Sequence, residues 1–200
     1  MAKEQTCLVP YLELLNAPPK VAAAIAHLPY HRNIFHLLGH SRGSFPSLMG
    51  VYGSFFDGKK RTLPLLEWQL VVLRISATLN AEYEWEVNAP VARLNGMPET
   101  KLDALKRTVG GGPEAVAGEP LFSKRDRVIL HLVDQQLATY NNDVPTVESA
   151  KKLLTTEELV EVYVVMGVYV LIARITKALR IDLEGEIPGL EDALKNVVTK

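Results

Sequence analysis

The stretch LLEWQLVVLRISATLNAEYEWEVNAPVARLNG, residues 65–96, decides the fold. Its first half is apolar at helical spacing, because Leu66, Leu70, Leu73 and Ala77 recur every three or four residues. Its second half places three glutamates and two aromatic residues directly behind this apolar run. The stretch therefore predicts helix next to helix, with unusual polarity beside the core.

Two prolines set the expected limits of this segment. Pro64 opens it, and Pro90 interrupts the second half. A proline inside a helix removes a hydrogen bond and crowds the preceding turn. We therefore expect two helices, or one sharply kinked helix with its kink near 87–89.

Helical patterns continue on both sides of the segment, and no strand pattern competes with them. Ser123 with Asp126 forms a capping signature, and Thr155 or Thr156 caps a long final helix. That last helix is hydrophobic all round from 162 to 175, so we expect it to be buried on most sides, in the core or at a subunit interface. Further helices are predicted over 21–28, 33–41, 46–58, 98–107 and 146–154. The predicted fold class is all-α.

The 200 residues fit one domain, 1–200, made of two helical halves. The N-terminal half covers about 20–108 and the C-terminal half about 121–183. Between them, 109–120 is rich in glycine and proline and is predicted to be a linker. A charged tail, 184–200, is expected to lie on the surface.

Composition restricts the possible partners and the compartment. The net charge is −1 and the sequence pI is near 6.5, so no basic excess exists to neutralise nucleic-acid phosphates. The longest apolar run is too short, and too closely flanked by charged residues, for a membrane span. No secretory signal is recognised. Cys7, the single cysteine, excludes an internal disulfide. We expect a cytoplasmic protein with no nucleic-acid or membrane partner.

Residues 67–96 resemble the signature helices of the carboxymuconolactone decarboxylase and alkylhydroperoxidase D-like (AhpD-like) superfamily. The segments QLVVLR and AEYEW match, as do the spaced Ala92 and Gly96. The resemblance extends from about 30 to 183. It implies an AhpD-like helical bundle that forms homo-oligomers, as dimers, trimers or hexamers.

The chain departs from the peroxidase pattern of that superfamily, which is a glutamate, a Cys-x-x-Cys pair and a histidine. By register the glutamate position is Gln69 and the cysteine positions are Ala81 and Glu84. The histidine position is Asn88. Disulfide chemistry requires thiolates, so peroxidase activity is not expected.

The decarboxylase branch of the superfamily has a glutamate at the position of Glu84. Glu84 and Asn88 are one turn apart and share a helix face, whereas Glu82 and Glu86 point elsewhere. A partly buried carboxylate beside Tyr83 suits a general acid or base. An alternative is that these glutamates only solvate an exposed face.

Other candidate residues complete the predicted site. Asn88 and Gln69 are candidate oxygen-binding amides, and Tyr83 and Tyr52 candidate substrate contacts. His40 or His36 is a candidate proton carrier, although a surface or structural role is the more common one for each histidine taken alone. His27 lies just upstream of this pair. No metal motif is present, so neither a metal nor another cofactor is predicted.

Arg74 lies in an otherwise apolar run and needs a carboxylate partner. This partner is either a substrate or a structural glutamate such as Glu67 or Glu82.

Two functions remain open at this stage. The first is a cofactor-independent lyase or isomerase that acts on a small organic acid, lactone or polyketide-like metabolite, a role the resemblance connects with specialised metabolism. The second is a catalytically silent relative with a ligand-binding or structural role. The loss of both cysteines and of the histidine favours the second.

Overall fold

The computed structural model describes residues 6–26, 28, 31–185 and 187–198. These residues form helices and loops without a β-strand, which confirms the predicted all-α class. A 3-10 turn at Leu14–Asn16 precedes the first helix. The helices are α1 (Pro19–Ala26), α2 (Asn33–Leu38), α3 (Phe45–Phe56), α4 (Leu65–Thr78), α5 (Glu82–Leu94), α6 (Glu99–Arg107), α7 (Gly112–Gly118), α8 (Lys124–Thr139), α9 (Val144–Lys151), α10 (Thr156–Ala178) and α11 (Leu190–Val198).

The chain divides into two compact units. The first unit consists of Met1–Arg61 together with Ile175–Lys200, and the second of Thr62–Arg174. This division does not follow the predicted halves, because the N-terminal and C-terminal segments belong to the same unit. The single-domain organisation stays a prediction.

The predicted linker, 109–120, contains a short helix, α7. Pro113 stands in the first turn of this helix, where its missing N–H is harmless. Gly110, two residues before the helix, and Gly112, its first residue, adopt positive φ angles of 75° and 67°. Val116 is fully buried. The glycines and the proline therefore shape the start of a short helix.

The break in the central segment lies at 79–81, and the prediction of a break or kink at 87–89 is wrong. Asn80 has a φ of 50°, a left-handed conformation that asparagine tolerates better than most residues. Pro90 lies inside α5. Its missing N–H would have bonded the carbonyl of Glu86, and Glu86 is exposed, so water can solvate that carbonyl.

The helix caps agree with the sequence. Ser123 and Asp126 form a reciprocal capping box at the start of α8. At the start of α10, the Thr155 hydroxyl accepts from the Glu158 amide, and the Glu158 carboxylate accepts from the Thr155 amide. The cap of α10 is therefore Thr155, one of the two residues predicted.

From 162 to 175, α10 is buried or partly buried on most sides, as expected, and one side is exposed. The helix is long and apolar enough to span a membrane by length and composition, with a hydropathy of 1.9 over its most apolar window. Val162, Val165 and Tyr169 are buried in the second unit, whereas Val160 and Val164 are exposed. The helix is therefore a core helix with one exposed apolar face.

A buried arginine joins three helices of the second unit. Arg74 on α4 is 1% exposed, and its Nε and Nη2 donate to the two carboxylate oxygens of Asp134 on α8, at 2.6 and 2.7 Å. Its Nη1 donates to the Leu105 carbonyl and the Thr108 hydroxyl, both at 2.8 Å, and Nη2 also reaches the Thr108 carbonyl at 3.2 Å. All five guanidinium N–H groups therefore have protein acceptors.

We predict that Arg74→Met lowers the free energy of unfolding by about 3 kcal/mol, because it leaves Asp134 and two carbonyl groups without their charged donor. Urea denaturation followed by circular dichroism measures this loss. Arg93→Met is the matched control, because the Arg93–Glu99 ion pair is 46% and 59% exposed and exposed pairs contribute little. Equal losses in the two variants would contradict this assignment.

A second polar centre holds the two ends of the chain together in the first unit. Asp182 accepts hydrogen bonds from the Thr6 amide at 2.8 Å, the Thr6 hydroxyl at 2.6 Å, the Cys7 amide at 3.3 Å and the Tyr11 hydroxyl at 2.9 Å. Burial raises the pKa of this carboxyl, but these four hydrogen bonds outweigh burial and lower the pKa to about 2.

Because the pKa of Asp182 is lower in the folded chain than in the unfolded chain, its contribution to stability is present above about pH 4 and is lost as the pH falls towards 2. We predict that Asp182→Asn flattens the fall in melting temperature between these pH values. Exposed Asp192→Asn is the matched control for the removal of one carboxylate. An unchanged acid profile in Asp182→Asn would refute the prediction.

Candidate active site on the second helical unit

The three glutamates of α5 have different surroundings. Glu84 is buried, with 2% of its surface exposed, whereas Glu82 and Glu86 are exposed. Asn88, one turn after Glu84, is also 2% exposed. The helix therefore directs a carboxylate and an amide into the protein on one face, and the remaining two carboxylates solvate the other.

Asn88 is held on both sides of its amide. Its Nδ2 donates to the backbone carbonyl of Glu84 at 2.8 Å. Its Oδ1 faces the hydroxyl of Tyr169 on α10 at 3.5 Å, a long hydrogen bond. The ring of Tyr169 lies 6.5 Å from that of Trp68 on α4. Because one Asn88 N–H already serves the helix, Asn88 has less donor capacity for a ligand than the sequence suggests.

Gln69 on α4 differs from Asn88 in its hydrogen bonding. It is fully buried, yet neither its Nε2 nor its Oε1 makes a hydrogen bond to any residue that the structure describes. α4 packs against α5. A buried amide without partners costs free energy, so a native protein that keeps one needs a reason. Binding of a ligand oxygen is such a reason.

Two further predicted contacts lie in the second unit. Arg74 has its full set of protein acceptors, so its prediction as a substrate-binding residue is wrong; its structural partner is Asp134, not Glu67 or Glu82. Glu67 instead pairs with Arg125 at 2.7 Å. Tyr83 is 5% exposed on α5, and its role as a substrate contact stays a prediction.

The remaining predicted site residues belong to the first unit and contact other residues of that unit. His36 Nδ1 lies 2.7 Å from the Leu12 carbonyl, and His40, which is exposed, has Nε2 at 2.8 Å from the Pro10 carbonyl. Tyr52 is buried and packs edge-on against Phe35, with ring centroids 5.9 Å apart. These contacts support the structural alternatives. His27 lies outside the described residues.

An open groove of about 670 Å³ lies along α5, and the sequence analysis missed it. Lys106 of α6 places its Nζ 4.0 Å from the centre of the Trp85 ring, a cation–π contact at the groove wall. Neither Glu84 nor Asn88 lines this groove. The groove is lined by Ser76, Ala77, Asn80, Ala81, Glu82, Trp85, Glu86, Lys106 and Val109.

Metal binding and thiol chemistry depend on other residues. Within the described ranges, no group of three histidine, cysteine, aspartate or glutamate residues could hold a metal ion. Cys7 is buried in the first unit, and its amide donates to Asp182.

Comparison with solved structures identifies the fold. A candidate antioxidant defence protein AhpD of unknown function from Agrobacterium tumefaciens matches with a TM-score of 0.62 and 18% identity, over 74% of this chain and 96% of that one. An uncharacterised peroxidase-related protein with an alkylhydroperoxidase AhpD core, from Ralstonia eutropha JMP134, matches with 0.63 and 18%, over 91% and 94%. The chain has the AhpD-like fold.

A third AhpD-like match has a described reaction. The debrominase Bmp8, as a cysteine-to-alanine variant in complex with 2,3,4-tribromopyrrole, matches with a TM-score of 0.67 and 13% identity, over 97% of this chain and all of that one. No family model and no curated protein matches the sequence. The AhpD-like fold implied by the resemblance is thereby confirmed.

Proposed function

We propose that this AhpD-like chain is a cofactor-independent acid–base enzyme, a lyase or isomerase that acts on a small organic acid, lactone or polyketide-like metabolite. The observation that carries the proposal is the burial of Glu84 alone among the three glutamates of α5. Buried carboxyl groups whose surroundings can shift their pKa are common acids and bases in enzymes. The similarity to proteins of enzymatic description, including a debrominase, supports a catalytic role.

The proposed reaction centres on one proton. The Glu84 carboxylate removes a proton from the carbon next to a carbonyl group, and the electron pair moves to the carbonyl oxygen. The amide N–H of Gln69 donates to this enolate oxygen. In a substrate with a neighbouring carbon–carbon double bond, protonated Glu84 then delivers the proton to the far carbon of the conjugated enolate, which moves the double bond and completes an isomerisation. With a 3-oxo acid, loss of carbon dioxide forms the same enolate, and Glu84 as the acid protonates it.

The proposed reaction does not use a thiol. Ala81 and Glu84 stand where peroxidases of the superfamily have cysteines, and a thiolate is the reacting group there. The proposal leaves out His36 and His40, because each has a backbone carbonyl partner in the first unit. The cytoplasmic location and the link with specialised metabolism remain predictions.

A second candidate function is ligand binding without turnover. The observation that favours it is the bond from Asn88 Nδ2 to the Glu84 carbonyl, because this residue replaces a histidine and spends a donor on its own helix. A thermal-shift screen with small 3-oxo acids and lactones, combined with product analysis, separates the two functions. Stabilisation without product supports binding alone.

We predict that Glu84→Gln lowers turnover at least about 100-fold while the protein stays folded, because glutamine cannot transfer the proton. The measurement is solvent deuterium incorporation and carbon dioxide release, followed by NMR in D₂O with a panel of 3-oxo acids and lactones. Glu86→Gln, two residues along on the exposed face, is the matched control and keeps wild-type turnover. Full activity of Glu84→Gln would end the proposal.

A further inference from the structure

The exposed side of α10 is a single stripe. Between Glu157 and Arg174 it consists of Glu157, Val160, Val164, Gly167, Leu171 and Arg174, all exposed and all in the second unit. The spacing between them alternates between three and four residues, close to the 3.5-residue repeat of a coiled coil. This is the repeat of a helix that packs lengthwise against another helix.

The stripe is unusual for a free surface. Val160 is 55% exposed, Val164 45% and Leu171 41%. The opposite face of the helix is already buried against its own unit, through residues such as Val165 and Tyr169. A soluble helix ordinarily carries polar residues on the side away from its core. A row of aliphatic side chains there indicates a partner surface.

Gly167 is not explained by the packing of its own chain. A Cβ atom added at Gly167 would meet no atom within 4 Å. A glycine in the middle of a helix costs about 0.5–1 kcal/mol relative to alanine. A glycine at this point of the stripe leaves room for the side chain of another surface that approaches the helix.

The stripe is complementary to itself when it is read in reverse. If two copies of α10 run antiparallel, Glu157 of one copy faces Arg174 of the other, and Val160 faces Leu171. Val164 then faces Gly167, whose missing side chain leaves room for the valine. The same three pairs recur on the other side of the two-fold axis, so every position has its counterpart.

The charges determine the direction of pairing. Neither Glu157 nor Arg174 makes a salt bridge with a residue that the structure describes. A parallel pair of helices would place like charges opposite each other at both ends, which is unfavourable. An antiparallel pair gives two oppositely charged contacts per dimer.

We propose that α10 is the interface of a two-fold homodimer, in which the stripe packs against the same stripe of a second copy in antiparallel orientation. The proposal specifies the interface that the predicted homo-oligomer uses. It does not involve Glu84 or Gln69, so it stands or fails separately from the proposed function.

Reversal of the charge at Glu157 or Arg174 tests the antiparallel pairing of the two helices. Size-exclusion chromatography with light scattering is expected to give a mass of twice 22.2 kDa for the wild type. Glu157→Arg and Arg174→Glu each create two like-charge contacts, and each is expected to raise the dimer dissociation constant about tenfold. The double variant, and an equimolar mixture of the two single variants, restore both opposite-charge contacts and the dimer.

Two further measurements complete the test. Val164→Asp is expected to give a folded monomer, as judged by circular dichroism, while Val51→Asp, at an exposed valine of α3, keeps the dimer. A monomeric wild type, a dimer that Val164→Asp leaves intact, or charge variants that do not rescue each other would overturn the proposal. So would co-sedimentation of the wild type with phosphatidylglycerol vesicles instead of self-association.

Discussion

The buried guanidinium of Arg74 is the interaction on which the second unit depends. It has 1% of its surface exposed and directs every N–H group to an acceptor on α6, α8 or the turn after α6. A charged group can be buried at such a depth only with a complete set of partners. This requirement fixes α4 between its neighbours, and α4 in turn supports α5.

The polar residues in this core fall into two kinds. Arg74 is satisfied by the protein, so its burial serves the fold. Gln69 lies on the same helix and is equally buried, yet its amide makes no hydrogen bond to a described residue. Glu84 and Asn88 lie on the helix that packs against it. Gln69 is the group for which the fold provides no hydrogen-bond partner among the described residues, and it is the one we assign to a ligand.

Local patterns in the sequence predicted what depends on neighbouring residues. The caps at Ser123 and Thr155 follow from side chains three residues away. The sequence left open whether Glu84 is buried or solvates an exposed face, and the family resemblance singled it out. The break at Asn80 was not predicted, because asparagine tolerates a left-handed conformation without requiring it, whereas proline disfavours a helix interior wherever it stands. The partner of Arg74 could not be found, because Asp134 is 60 residues distant and only tertiary packing brings it close. The carbonyl partners of His36 and His40 could not be predicted either, because they are also distant in the sequence. The exposed face of α10 could not be distinguished, because the sequence of this helix is apolar on all sides.

The central claim is that Gln69 is retained for a ligand and not for the fold. The free energy of unfolding of Gln69→Met, measured by urea denaturation, tests this claim most directly, because methionine has a similar shape and removes both unpaired polar atoms. We predict that the variant is as stable as the wild type or more stable by about 1 kcal/mol, and that it no longer turns over substrate. A loss of stability as large as that expected for the Arg74 network would show that Gln69 holds the fold together, and would contradict the claim.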